Sequence, residues 1–268
     1  MTPIAAPADS CYHRTGEHRY KPTAHAGGAW STGEQHFGPL AGLVVHAIDQ
    51  HRAAAPANAL VLARISYDIL GFLPFDECEI TVKTIRPGRT VELLEAVVVM
   101  EDRPAVRARA WLLAALDTAA VADTPFEALT PPETFDPWVM SDLWDCGYAR
   151  SIEVRRRAST TPGRAAAWVT SHLGLVADEP SSTLASFIGR VDVANGIAVQ
   201  QPHTQWMYPN MDMTVHLHRQ PEGRWTGLDT TVSFGPTGHG LTSSVLHDAL
   251  GPVGHAQQIL TVRPLAGR

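Results

Sequence analysis

Asp192 and Gln258 are the side chains whose type and setting could do chemistry. Asp192 lies at the border of an apolar stripe, Leu184, Phe187, Ile188 and Val191, expected on a helix over residues 182–195. Two readings of it stand: a boundary residue that caps a nearby group or is solvated at a frayed helix end, and a half-desolvated carboxylate that binds its proton more tightly and suits a general base. Gln258 belongs to the strand-like stretch GPVGHAQQILTVR, residues 251–263. Alternation places it on one face with Gly254, Ala256, Leu260 and Val262, and Gln257 on the other. A primary amide in that small, apolar row must find hydrogen-bond partners or cost roughly 1–3 kcal/mol. Asn210 opens PNMDMTVHLHR, where Asn210, Asp212, Thr214, His216 and His218 share one face and Met211, Met213, Val215 and Leu217 the other. Strict alternation keeps Asn210 and Gln258 apart, and only an irregular strand entry at Pro209 brings them together.

Other chemistries find less support. His216 and His218 are spaced i, i+2 with no clear third ligand, so no metal is assigned. The G-x-S-x-G elbow, the P-loop pattern and a paired Cys and His in recognisable context are all absent. GPTGHG, residues 235–240, reads as a turn between strands.

The elements that must position these residues come twice. In the first half a helix opens at PLAGLVVHAIDQH, and strand-like runs follow at residues 60–70, 79–85, 90–100 and 105–116. Residues 119–147, rich in proline, read as a connection. Then come strand-like SIEVRR and AAWVTSHL, the second helix, and runs at 211–219, 225–234, 241–248 and 253–262. EDRPAVRARAWLLAAL lies over ALGPVGHAQQILTVRP when Pro104 is set on Pro252, which puts Ala110 over Gln258. One copy keeps a small apolar residue and the other has acquired an amide. A single helix followed by long antiparallel strands suits an α+β unit in which a curved sheet wraps a helix.

The 268 residues are 44% hydrophobic and carry a formal charge of −6, with no basic field for nucleic acid or an anionic membrane. Arg155, Arg156 and Arg157 read as a solvated run. Three widely spaced cysteines argue against a disulfide framework and for a reducing, cytoplasmic setting. No leader pattern opens the chain and no apolar run approaches ~18 residues, so no export or membrane insertion is expected.

From about Arg19 to Pro264 the chain resembles the type II acyl-CoA thioesterases, the family of bacterial thioesterase II and the peroxisomal acyl-CoA thioesterases. The resemblance rests on DVANG at 192–196, NMDMTVHLHR at 210–219 and AQQ at 256–258, in the family's order. It implies a double hotdog fold, with one unit over residues 1–118, a linker over 119–147 and a second unit over 148–268 carrying the catalytic residues. It implies that Asp192, Asn210 and Gln258 hold a catalytic water that attacks acyl-CoA without a covalent intermediate. No cofactor is implied beyond the CoA of the substrate, and exposed strand edges point to a homo-oligomer.

The chain departs from the family at two places. Asn210 stands where a hydroxyl is usual, and HFGPL has Gly38 and Pro39 where two glycines are common. Pro39 has no N–H, which leaves Gly38 as the amide that could meet an oxyanion. Phe37, Trp206 and Tyr208 are expected to line an acyl slot beside it. Two competing readings stay open: a catalytically weak acyl-thioester binding protein, and enoyl-CoA hydration, whose Asp and His are not found at close spacing.

Overall fold

The computed structural model describes residues 9–54, 59–157 and 161–265. The first half contains β1 (Ser10–Arg14), β2 (Arg19–Pro22), α1 (Phe37–Ala53), β3 (Leu60–Ile69), β4 (Cys78–Arg86), β5 (Val91–Met100) and β6 (Arg103–Ala114). There follow β7 (Asp136–Trp138), α2 (Gly147–Arg150), β8 (Glu153–Arg157), β9 (Arg164–Thr170), β10 (Gly174–Val176), α3 (Thr183–Ile188) and α4 (Ala194–Ile197). The chain closes with β11 (Trp206–Met207), β12 (Asp212–Leu217), β13 (Thr226–Phe234), β14 (His239–Asp248), β15 (Gly251–Thr261) and β16 (Arg263–Pro264).

Fourteen strands form one sheet, in the order β10-β1-β2-β4-β5-β6-β3-β12-β15-β14-β13-β9-β8-β7. The halves meet where β3 pairs antiparallel with β12, Ile65 opposite Val215. Pairing is antiparallel throughout except between β1 and β10. The internal duplication is visible in the register: Ala110 of β6 faces Leu94 of β5, and Gln258 of β15 faces Thr242 of β14. The helices occupy the inside of this sheet. Residues Phe37 to Ile48 of α1 are all buried. This is an α+β double hotdog arrangement.

Backbone approach sets how the two halves meet. Gly38 and Gly42 lie one turn apart on α1, and a Cβ on either would stand 2.8 Å from a carbonyl oxygen, that of Gly189 and of Ala185 respectively. Only glycine allows α1 so close to the end of α3. Pro39 fits within the first turn of α1, where its missing N–H costs nothing.

Several elements differ from the sequence reading. The helix expected over 182–195 is broken. Its first segment, capped by Ser182 Oγ on the Ala185 N–H at 3.0 Å, ends at Gly189. Tyr148 Oη donates to the Gly189 carbonyl at 2.5 Å and removes it from the helical ladder. The chain then passes through a 3-10 turn over Val191–Val193, which carries Asp192, before α4. Strands β1, β2, β7 and β10 have no clear sequence signal, being short; β1 pairs with β2 and with the distant β10, and β7 with β8. Residues 119–147 hold three 3-10 turns and β7.

Candidate active site

Asp192 is 4% exposed and stands at the centre of a converging set of polar groups. Its Oδ1 accepts from Asn210 Nδ2 at 2.9 Å and from Gln258 Nε2 at 2.8 Å. Its Oδ2 lies 3.2 Å from His36 Nδ1. The Gly38 N–H donates to His36 Nδ1 at 3.1 Å and also supports the Asp192 carboxylate. Burial pushes the Asp192 carboxyl from its ordinary 3.8 up to about 7, while the Asn210, Gly38 and Gln258 donors pull the other way. Burial also lowers His36 to about 4, which leaves its imidazole neutral at physiological pH.

Strand geometry explains how the two amides arrive. Gln258 is 1% exposed and Gln257 is exposed, as alternation along β15 requires. Asn210 precedes β12, where the facing slips: Met211 is 43% exposed although its neighbours in the pattern, Met213 and Val215, are fully buried. The irregularity has a partner set of its own. Asp212 Oδ1 takes the Ile259 N–H at 2.6 Å in place of a ladder carbonyl, and Asn210 makes only an isolated bridge to Leu260. This slip turns the Asn210 side chain inward to Asp192. Both amides thus donate directly to the Asp192 carboxylate.

A cleft of about 130 Å³ opens beside the carboxylate. His36, Asp192 and Asn210 line its polar side, and Trp30, Phe37, Phe72, Met140 and Trp144 its apolar side. Trp30 meets Trp144 and Tyr208 edge to face, with ring centroids 5.2 and 5.4 Å apart. Of the four expected substrate contacts, only Phe37 lines the cleft. Tyr208 is fully buried behind Trp30, its hydroxyl donating to the Gln201 carbonyl. Trp206 pairs with Pro264 in the two-stranded β11 and β16 ribbon and does not reach the cleft. The Gly38 amide is engaged by His36 and Asp192, so it is not a free oxyanion donor.

His36, Trp30 and Trp144 escaped the sequence reading. His36 stands directly before the Phe37-Gly38-Pro39 turn and caps α1, a local signal that could have been noticed. Its pairing with Asp192 crosses between the halves and has no signature in spacing. The Asp and His proximity that sequence spacing did not reveal is therefore present through space.

A helix-filled, duplicated sheet with a desolvated carboxylate at the junction defines a double hotdog protein. Residues 26–113 match the family profile described as acyl-CoA thioesterase N-terminal domain, and residues 126–262 that described as acyl-CoA thioesterase C-terminal domain. The chain belongs to this acyl-CoA thioesterase family. No curated protein matches the sequence. Among solved structures it is similar to a TesB protein of Mycobacterium avium subsp. paratuberculosis, at 17% identity and TM-score 0.68, covering 94% of this chain and 96% of that one. It is similar to a putative thioesterase II of Thermobifida fusca, at 20% identity and TM-score 0.64, covering 96% and 95%. A hot dog protein of Alicyclobacillus acidocaldarius aligns at 12% identity and TM-score 0.71, covering 98% of both chains. At these identities the structural likeness speaks for the fold. No helix among the described residues is long and apolar enough to cross a membrane.

Proposed function

We propose that the protein hydrolyses acyl-CoA thioesters, with Asp192 as the general base for an attacking water. The observation that carries this reading is the buried Asp192 carboxylate, held near pKa 7 and facing an apolar cleft. A base poised near the working pH combines a useful ionised fraction with real proton affinity. Asn210 and Gln258 give both their donors' orientation and their charge stabilisation to Oδ1, which leaves Oδ2 on the His36 side to accept the water proton. Asn210 also lines the cleft, and its side-chain oxygen can accept from the same water. The proton taken by Asp192 is then available to the departing thiolate. No covalent enzyme intermediate is needed.

The cleft volume bears on the acyl group. A dry cavity of ~150 Å³ holds benzene, so about 130 Å³ fits an acyl segment of that size against the indoles of Trp30 and Trp144. Thiol release measured over an acyl-CoA series tests the reading. Release by the wild type that disappears in Asp192→Asn supports it, and undiminished release by the variant refutes it.

A second reading is favoured by one observation, the approach of His36 Nδ1 to Asp192 Oδ2. An imidazole and a carboxyl group facing one cleft can add water across, or remove it from, an enoyl thioester. Loss of enoyl absorbance without thiol release would establish this reading in place of hydrolysis.

A further inference from the structure

Arg190 stands at the break between α3 and the 3-10 turn that carries Asp192, and it is 7% exposed. It is the one Arg or Lys among the described residues whose side chain is buried. Its Nε donates to Thr226 Oγ1 at 3.1 Å, and Thr226 in turn donates to the Phe187 carbonyl at 3.4 Å. Its two Nη groups have no hydrogen-bond or carboxylate partner among the described residues. Burial lowers its proton affinity only to about 10, so the group stays cationic at neutral pH. Two other internal charges have counter-ions: Arg219 holds the fully buried Asp248 side chain through both Nη atoms, and Glu95 meets Lys83 at 2.9 Å. The Arg190 Nη atoms are not among the fully enclosed polar atoms without a partner, so they open toward a cleft with no anion of the described residues to meet them.

Arg190 borders a second cleft, of about 80 Å³, separated from the acyl cleft by Tyr148, which lines both. Pro39, Ile152 and Leu175 give it apolar walls, and Ser171 and Ser186 supply hydroxyls. Ser171 Oγ is used on the Ser151 carbonyl at 2.8 Å, while Ser186, one helical turn before Arg190, makes no side-chain hydrogen bond among the described residues. No Asp or Glu lines this cleft. A guanidinium with two free forks, a hydroxyl beside it and no carboxylate in reach form the donor set that recognises a small oxyanion.

We propose that this cleft binds a small oxyanion, a carboxylate or phosphate group, held by the Arg190 guanidinium with the Ser186 hydroxyl as second donor. The site does not depend on the hydrolytic reading of Asp192, because Arg190 makes no contact with that carboxylate.

Melting midpoints in rising inorganic phosphate and, separately, rising acetate test the site, with sodium chloride at equal ionic strength as the reference. A ligand of the native state raises the midpoint with the logarithm of its concentration, and a hundredfold excess over its dissociation constant corresponds to about 5 °C or more for a chain of this size. The wild type should show that rise with at least one anion, and which anion acts identifies the group recognised. Arg190→Gln should lose it. Ser186→Asp should lose it as well and should melt higher than the wild type without added anion, because it places an internal carboxylate beside Arg190. Ser186→Asp decides the matter if Arg190→Gln does not fold. General salting effects of phosphate would survive in both variants. A rise no greater than that in chloride, or one that persists in both variants, overturns the proposal.

Discussion

Replacing Asp192 by Asn should stabilise the protein at pH 8 while stopping thioester hydrolysis. The wild-type carboxyl rises from 3.8 to about 7 on folding, chiefly by desolvation. At ~1.4 kcal/mol for each tenfold change in proton affinity, ionising Asp192 in the folded state costs about 4 kcal/mol relative to ionising it in the unfolded chain. The sign follows from proton binding: between pH 4 and 7 the native state holds a proton that the unfolded chain has released, so this group's contribution to stability falls as pH rises. Asn cannot ionise and avoids that loss. Its geometry also fits, since Oδ1 still accepts from Asn210 and Gln258, and the amide N–H₂ can donate to the neutral His36 Nδ1 now 3.2 Å from Oδ2. Urea unfolding of both proteins from pH 4 to 8 should give equal stabilities at the acid end. The variant's advantage should grow toward about 4 kcal/mol as pH passes 7. A variant less stable than the wild type at pH 8, or an advantage independent of pH, would refute the desolvation argument.

Hydrolysis by the wild type should rise with pH through about 7, the region where Asp192 ionises, and a flat rate from pH 5 to 9 would exclude it as the base. Gln258→Ala removes a donor from the ionised carboxylate, so the acid limb of that profile should move to higher pH, with turnover reduced much more than stability. His36→Asn retains a side chain able to cap α1 but removes the imidazole that stands 3.2 Å from Asp192 Oδ2 and orients it toward the cleft, so activity should drop at least tenfold with the melting midpoint little changed. If that variant keeps full activity, His36 serves only as a cap. Gly42→Ala forces a methyl against the Ala185 carbonyl and should cost about 1–3 kcal/mol in denaturant unfolding through loss of the α1 and α3 approach.

The sequence by itself determined α1 and the repeated long strands, because hydrophobic periodicity is local and the long strands of both halves carry it strongly. It also determined that Gln258 is buried and Gln257 exposed, since alternation within one regular strand needs no knowledge of its neighbours. Only the tertiary structure decided that Gln258 and Asn210 both bond Asp192. The inward turn of Asn210 depends on a slip at the start of β12 that Asp212 and Ile259 hold across strands, and the 3-10 turn under Asp192 depends on Tyr148 capturing the Gly189 carbonyl. Trp206 and Tyr208 looked equivalent to Phe37 as acyl contacts because aromatic character is visible in sequence and direction is not. His36 meets Asp192 for the same reason that it went unnoticed: the contact exists only because glycines at 38 and 42 let one half's helix approach the other's, and no spacing along a chain encodes that distance.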